Sequence, residues 1–317
     1  MSKSDNPGEE GNWNSMATRR SRFVIRAGVA VLALAVLAFA AYERATIIDV
    51  FLPRPIYGNL IGGPQPVAAP GTNYTFAYCG DEHENAAVMT EIIREARAAG
   101  CAFGVHNGDM VHRYRDASFD AFYRTVWQAA GGEFPVYLAV GNHDTRGTIR
   151  TIDGVNFHRF LGPTHYVFWY GSDAFVVVDS TTTSFGPDEQ AWFDKTLAAV
   201  RPAARNVFVL SHIPPADPRP NRSTALQPEA GRRFLEIAKK HNVTRILSSH
   251  IHAYFDTQAD GIPLTISGGA GGRFFRDASF HWTLVTVDGT TAKTEERRLP
   301  AEIGGQGTGP TTEEERD

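Results

Sequence analysis

From residue 73 onward, short apolar runs alternate with stretches of helical periodicity. Runs at Tyr74–Cys79, Ala102–His106 and Pro135–Val140 predict strands, with helices over Ala86–Ala99 and Ser118–Ala130 between them. Strands that alternate with helices are the signature of an α/β sheet. A second set follows. Tyr166–Tyr170 and Phe175–Asp179 flank the turn residues Gly171, Ser172 and Asp173, which predicts an antiparallel hairpin. Helix Asp188–Val200, strand Val207–Leu210, helix Glu229–Lys240 and strand Arg245–Leu247 come next, then three late strands near Leu264–Ser267, Trp282–Val287 and Ala292–Arg298.

The flanks read differently. Residues 43–72 hold five prolines and no sustained periodicity, which suggests a linker or surface strap, so the folded domain is expected to span residues 73–300. The segment 301–317 is rich in Gly, Thr and Glu and is expected to be a disordered acidic tail. At the other end, Arg19, Arg20, Arg22 and Arg26 precede an uncharged apolar stretch, Ala27 to Tyr42. Crossing a bilayer takes about 20 apolar residues, so a signal-peptide core and a single-span anchor extended by Phe23 to Ile25 are both open readings of residues 1–42. Ala38 and Ala40 offer a small-x-small cleavage site, and the paired Arg19 and Arg20 resemble a twin-arginine signal in which Phe23 stands one residue late. Either reading predicts an extracytoplasmic protein, secreted, periplasmic or held at the membrane with its folded domain outside.

Composition narrows the class. With 42% hydrophobic and 21% charged residues among 317, the chain is long enough to bury one large core or two modest ones. The net charge of -4 and a pI near 6.3 argue against a dedicated nucleic-acid binder. Cys79 ends one predicted strand and Cys101 begins the next, which places them at opposite ends of parallel neighbours and predicts two buried free thiols.

The chemistry lies at the ends of the runs. Asp81 and His83 follow the first, Asp109 the second, Asn142 and His143 the third, His212 the fourth, and His250 and His252 the fifth. Taken singly, each has an ordinary explanation: Gly108-Asp109 is a common turn, and His212 before Pro214 and Pro215 could cap a strand. Open α/β sheets, however, bind ligands beyond the carboxyl ends of their strands, so these groups are expected to converge on one crevice. Two carboxylates, four imidazoles and an amide oxygen suit Zn, Mn or Fe and make a poor Ca site. Two ions about 3.5–4 Å apart need a shared ligand, for which a carboxylate such as Asp109 is suited, and a hydroxide between them becomes a nucleophile for phosphate esters.

With Asp81-Glu82-His83, Gly108-Asp109, Gly141-Asn142-His143-Asp144, His212 and His250-Ile251-His252 in order, the chain resembles the calcineurin-like metallophosphoesterase superfamily from residue 73 to about residue 290. The resemblance implies a four-layer α/β/β/α sandwich, with two mixed sheets flanked by helices. It implies that Asp81, His83 and His252 hold a first metal, that Asn142, His212 and His250 hold a second, and that Asp109 bridges them. His143 would stabilise phosphate charge and protonate the leaving oxygen, with Asp144 orienting it. The family's glycine before the last His-x-His is Ser249 here, which puts the local turn in question.

Arg113, Arg115, Arg146, Arg219, Arg222 and Arg273 fall near these blocks, and Arg146 and Arg273 are the expected contacts to substrate phosphate. His106, His158, His165, His241 and His281 are expected to be structural or exposed; His112, three residues beyond Asp109, is left open. The expected substrate is a small-molecule or lipid phosphate mono- or diester. The alternatives are a lipid-headgroup or cell-envelope phosphodiesterase at the membrane and an inactive binding protein on the same scaffold.

Overall fold

The computed structural model describes residues 58–112, 115–145, 162–273, 279–300 and 302–303. The N-terminal basic and apolar segment, Arg113 and Arg146 lie outside the described residues, as does almost all of the acidic tail. Among the described residues, no helix is long and apolar enough to cross a membrane.

Two six-stranded mixed sheets stack face to face. The first comprises β1 (Leu60–Ile61), β2 (Tyr74–Cys79), β3 (Gly104–Asn107), β4 (Val136–Ala139), β11 (His281–Asp288) and β12 (Thr291–Arg298), in the order β1-β4-β3-β2-β11-β12. The second comprises β5 (Tyr166–Tyr170), β6 (Asp173–Val178), β7 (Val207–Ser211), β8 (Arg245–Ser248), β9 (Tyr254–Ala259) and β10 (Ile262–Ser267), in the order β5-β6-β7-β8-β10-β9. In the first sheet β2, β3 and β4 run parallel, and in the second β6, β7, β8 and β10 do. The parallel strands therefore share one carboxyl end in each sheet.

Side-chain alternation along the strands builds the layers. Tyr74, Phe76 and Tyr78 of β2 face the second sheet and join Phe103, Phe175 and Phe208 in an aromatic core between the sheets. Phe175 stacks on Phe208 at 4.9 Å and meets the edge of Phe76 at 5.4 Å, the offset and T-shaped pairings that ring quadrupoles favour. Ala77 and Cys79 face the other way, towards α1 (Ala86–Ala98) and α2 (Asp116–Ala130), whose Val88, Ile92, Phe119 and Val126 are buried against them. Over the second sheet lie α3 (Pro187–Val200) and α4 (Pro228–Lys240), through Phe193, Leu197 and Phe234. The result is the expected α/β/β/α sandwich.

Elements missed by pattern reading lie at sheet edges. Leu60 and Ile61, within the segment read as a linker, pair antiparallel with β4, and Asn59 donates to the Leu138 carbonyl at 3.2 Å. The folded domain thus starts before residue 73. Strand β9 was hidden because its sequence, YFDTQA, buries only its last residue and directly follows the His250–His252 block. The hairpin β5–β6 has a two-residue turn, since Tyr170 pairs with Asp173, and Gly171 takes the positive φ of 57° that such a turn needs. Cys79 and Cys101 are buried free thiols.

Candidate metal centre

Every sequence-identified ligand follows a parallel strand: Asp81 and His83 follow β2, Asp109 follows β3, Asn142 follows β4, His212 follows β7, and His250 and His252 follow β8. Both sheets contribute, so the ligands meet where their carboxyl ends abut. Backbone bonds pin these loops together: Asp81 N–H donates to Gly108 O at 3.0 Å, His83 N–H to Asp109 O at 3.1 Å, and Ser249 N–H to His212 O at 2.9 Å.

The backbone here adopts conformations that side chains usually avoid. Asp81 (φ 63°), His83 (φ 49°), Asp109 (φ 56°) and His250 (φ 67°) are all left-handed. Such strain is of order 1–3 kcal/mol per residue and persists only where the surroundings impose it, which is why it clusters at functional sites. Close packing of the loops is part of that imposition. A Cβ at Gly141 would lie 2.2 Å from both the Asp109 backbone nitrogen and its Oδ1, and one at Gly108 would lie 2.7 Å from His212 Nδ1. The turn in question at Ser249 is resolved by its neighbour: His250 takes the positive φ, while Ser249 Oγ donates to Ser267 O at 3.2 Å and pairs with the Tyr78 hydroxyl at 3.3 Å.

Each aspartate divides its two oxygens between scaffold and site. Asp81 Oδ2 accepts the His250 backbone N–H at 2.8 Å, leaving Oδ1 4.0 Å from His83 Nε2 and 3.3 Å from His252 Nε2. Asp109 Oδ1 accepts the His143 backbone N–H at 2.8 Å, leaving Oδ2 3.6 Å from His83 Nε2 and 3.3 Å from His212 Nε2. Ligand atoms of Asp81, His83 and His252 converge within 4.8 Å, as do those of Asp109, His212 and His250. Asn142 Oδ1 lies 3.1 Å from His212 Nε2.

The imidazoles are oriented from behind. His212 Nδ1 lies 2.8 Å from Asn107 O and His143 Nδ1 lies 2.8 Å from His112 O, while His252 Nδ1 bonds Arg273 O. A carbonyl only accepts, so each of these Nδ1 atoms carries the proton and each Nε2 is left for the site.

The electrostatics ask for positive charge. Asp81 and Asp109 are at most 1% exposed. Burial opposes ionisation of Asp81, yet the His252 imidazole holds its carboxyl down at about 2. Asp109 is likewise resisted by burial and is held well below the usual range by His212 and then His83. Burial would depress His212, but Asp109 and Asp81 push it up to about 10. By contrast, burial lowers His83 to about 3 and His250 to about 4, so both are neutral and have a lone pair to give. Asp81 Oδ1 and His83 Nε2 are buried and engage in no aligned hydrogen bond. Buried carboxylates and neutral imidazoles whose lone pairs converge fit a cation, which would take the place of protons on His212 and His252.

The chain belongs to the calcineurin-like phosphoesterase family. That family's model matches residues 74–254, from the first strand of the core to the start of β9. The chain is 26% identical over 171 residues to the bovine (Bos taurus) serine/threonine-protein phosphatase CPPED1, a match covering 47% of this chain and 53% of that protein. It therefore spans about half the length of this curated relative. In fold it is similar to the purple acid phosphatase PPD1 of yellow lupin (Lupinus luteus), with a TM-score of 0.60 at 16% identity over 76% of this chain and 54% of that one. It is also similar to a dimetal phosphatase from Danio rerio, with a TM-score of 0.51 at 14% identity over 71% of this chain and 98% of that one.

One expected role changes in the structure. Asp144 does not face the His143 ring. Its Oδ2 accepts the backbone N–H groups of Asp109 and Gly141, each at 2.8 Å, and its Oδ1 accepts those of Met110 at 2.9 Å and Val111 at 3.3 Å. Asp144 therefore ties the Asp109 loop to the His143 loop, and the His112 carbonyl is what holds the His143 ring. Burial and then the Asp109 charge push Asp144 up to about 8 against those N–H bonds, and a cation beside Asp109 would relieve the repulsion. Of the arginines, Arg273 is exposed beside the site and its carbonyl bonds His252 Nδ1, Arg219 is forked onto Asp217 at 2.9 and 2.7 Å, which pins its loop, and Arg146 lies outside the described residues. Of the remaining histidines, His106 is fully buried against Phe122 and His281 is buried under Tyr254. His165 and His241 pair with Glu189 and Asp194, and His158 lies outside the described residues. Sequence reading left His112 open; the structure brings it within reach of both His83 and His143.

Proposed function

We propose that this chain hydrolyses phosphate mono- or diesters at a site that holds two transition-metal ions, Mn, Fe or Zn. The observation carrying this reading is the placement of Asp109 Oδ2, a single oxygen 3.6 Å from His83 Nε2 and 3.3 Å from His212 Nε2. An oxygen so placed belongs to both ligand groups and is suited to bridge. Asp81, His83 and His252 would hold one ion, and Asn142, His212 and His250 the other. Bound there, the ions supply positive charge to the phosphate oxygens and acidify a water that serves as nucleophile.

The protein's own groups complete the chemistry. His143 has Nδ1–H committed to the His112 carbonyl, and its Nε2 lies 4.0 Å from Asp109 Oδ2, on a side chain that is 34% exposed. As the imidazolium, with a second proton on Nε2, it would be placed to donate that proton to the departing ester oxygen or to bind a phosphate oxygen as charge develops. Asp144 contributes indirectly, by fixing the Asp109 loop that the two ligand groups share. Loading purified protein with Mn, Fe or Zn should give turnover of chromogenic phosphate esters, and Asp109→Ala should remove it. No turnover with any of these metals on either a mono- or a diester would contradict the proposal.

A further inference from the structure

Three imidazoles of the site, His143, His212 and His252, are oriented by backbone carbonyls. His83 differs. Its Nδ1 faces the Nδ1 of another side chain, His112, at 3.4 Å. Between two imidazole nitrogens one must donate and the other accept. His83 Nε2 points at Asp81 Oδ1 and Asp109 Oδ2, at 4.0 and 3.6 Å, so a ligand role for Nε2 requires the proton on Nδ1. His83 Nδ1–H is then the donor, and His112 Nδ1 supplies the lone pair. The two rings lie 5.6 Å apart, and the His112 ring stacks on that of His143 at 5.8 Å with 20° between planes.

We propose that His112 is a positioning residue for the first metal group: its imidazole fixes the tautomer and angle of His83, while its own backbone carbonyl fixes His143. One residue three places beyond Asp109 thus couples a ligand of the first group to the group that faces the leaving oxygen. The assignment rests on the two-ion reading above. It makes His83 the ligand most open to tuning, because His112 is exposed and its side chain can be exchanged without touching the core. Partners of ligating histidines commonly change metal affinity or activity about 10–100-fold when removed.

The test uses the full chain and Mn(II) alone, with binding followed by calorimetry and by Mn electron paramagnetic resonance. Wild-type protein should bind two ions. His112→Ala removes the acceptor but keeps the main-chain carbonyl, so it should weaken one of the two ions about 10–100-fold and leave the other unchanged. His112→Asn, whose Oδ1 can stand where Nδ1 stood, should restore the weakened ion and much of the lost kcat, with KM little altered throughout. Thermal melting of both variants without metal should match the wild type, which separates positioning from folding. Unchanged binding of both ions by His112→Ala, equal weakening of both, or an Asn variant no better than Ala would overturn the assignment while leaving the two-ion reading intact. A wild-type protein that binds fewer than two ions would overturn that reading first, and the assignment with it.

Discussion

The two ligand groups share Asp109 yet are built differently. In the group of Asp109, His212 and His250, His212 is 0% exposed and is braced by the carbonyl of Asn107, the last residue of β3. In the group of Asp81, His83 and His252, the His83 and His252 side chains are 10% and 22% exposed, and they are braced by His112 and by the Arg273 carbonyl, both in loops. His212 is thus held by a strand end inside the sandwich, and His83 and His252 by loops at its rim. On the proposed two-ion reading, the difference would make the sites unequal: an inner one, rigid and slow to exchange, and an outer one that solvent and substrate would reach first.

The largest expected effect comes from the shared parts. Asp109→Ala should abolish binding of both ions and all turnover. Gly141→Ala should come close, since its Cβ would stand 2.2 Å from Asp109 Oδ1. Metal analysis after dialysis checks both, and retention of two ions by either would break the idea of a common bridge. Next, Asp144→Asn replaces a carboxylate that accepts four backbone N–H groups with an amide that can turn only one oxygen to them. A loss of about 1–3 kcal/mol in a denaturant titration is expected, with activity falling through the displaced Asp109 loop.

A chelator separates the two groups directly. Stopped-flow mixing with a competing ligand should show two phases of metal release, and His252→Ala should remove the faster one while His212→Ala removes the slower. Release in a single phase would mean that the rim and the interior hold their ions alike. Gly272→Ala is a gentler version, because its Cβ would lie 2.8 Å from both His252 Cε1 and His83 Cδ2 and so should disturb the outer ion alone.

The smallest effect lies elsewhere and serves as a control. The Glu189 carboxylate, 3.2 Å away, raises His165 above its ordinary value. A raised folded pKa stabilises fully below the unfolded value of about 6.5 and is lost as pH rises through the higher folded one. The wild type should therefore melt slightly above His165→Gln at pH 5.5 and equal to it at pH 8.5, with metal content unchanged. A gap that widens with pH would reverse the sign.

Much of this was legible because residue type and position agreed. Asp81, Asp109, Asn142, His212 and His250 each stand just past an apolar run, and parallel strands bring such ends together. The alternation of runs and helical stretches gave the α/β class, and the resemblance to the metallophosphoesterases implied the four-layer sandwich. What stayed hidden depended on side-chain direction or on weak pattern. Asp144 adjoins His143 in sequence, but its carboxylate folds back onto the loop beginning at Asp109, and adjacency says nothing about that. The part of His112 is invisible for the same reason, since half of it is played by a carbonyl. Strand β1 has two residues in a proline-rich stretch, too few to show a period.

The most direct test of the central claim is anomalous diffraction from crystals of the Mn-loaded protein. Two manganese peaks about 3.5–4 Å apart, with Asp109 between them and His83 and His212 on opposite sides, are the predicted result. A single peak, or two peaks of which Asp109 touches only one, would contradict it.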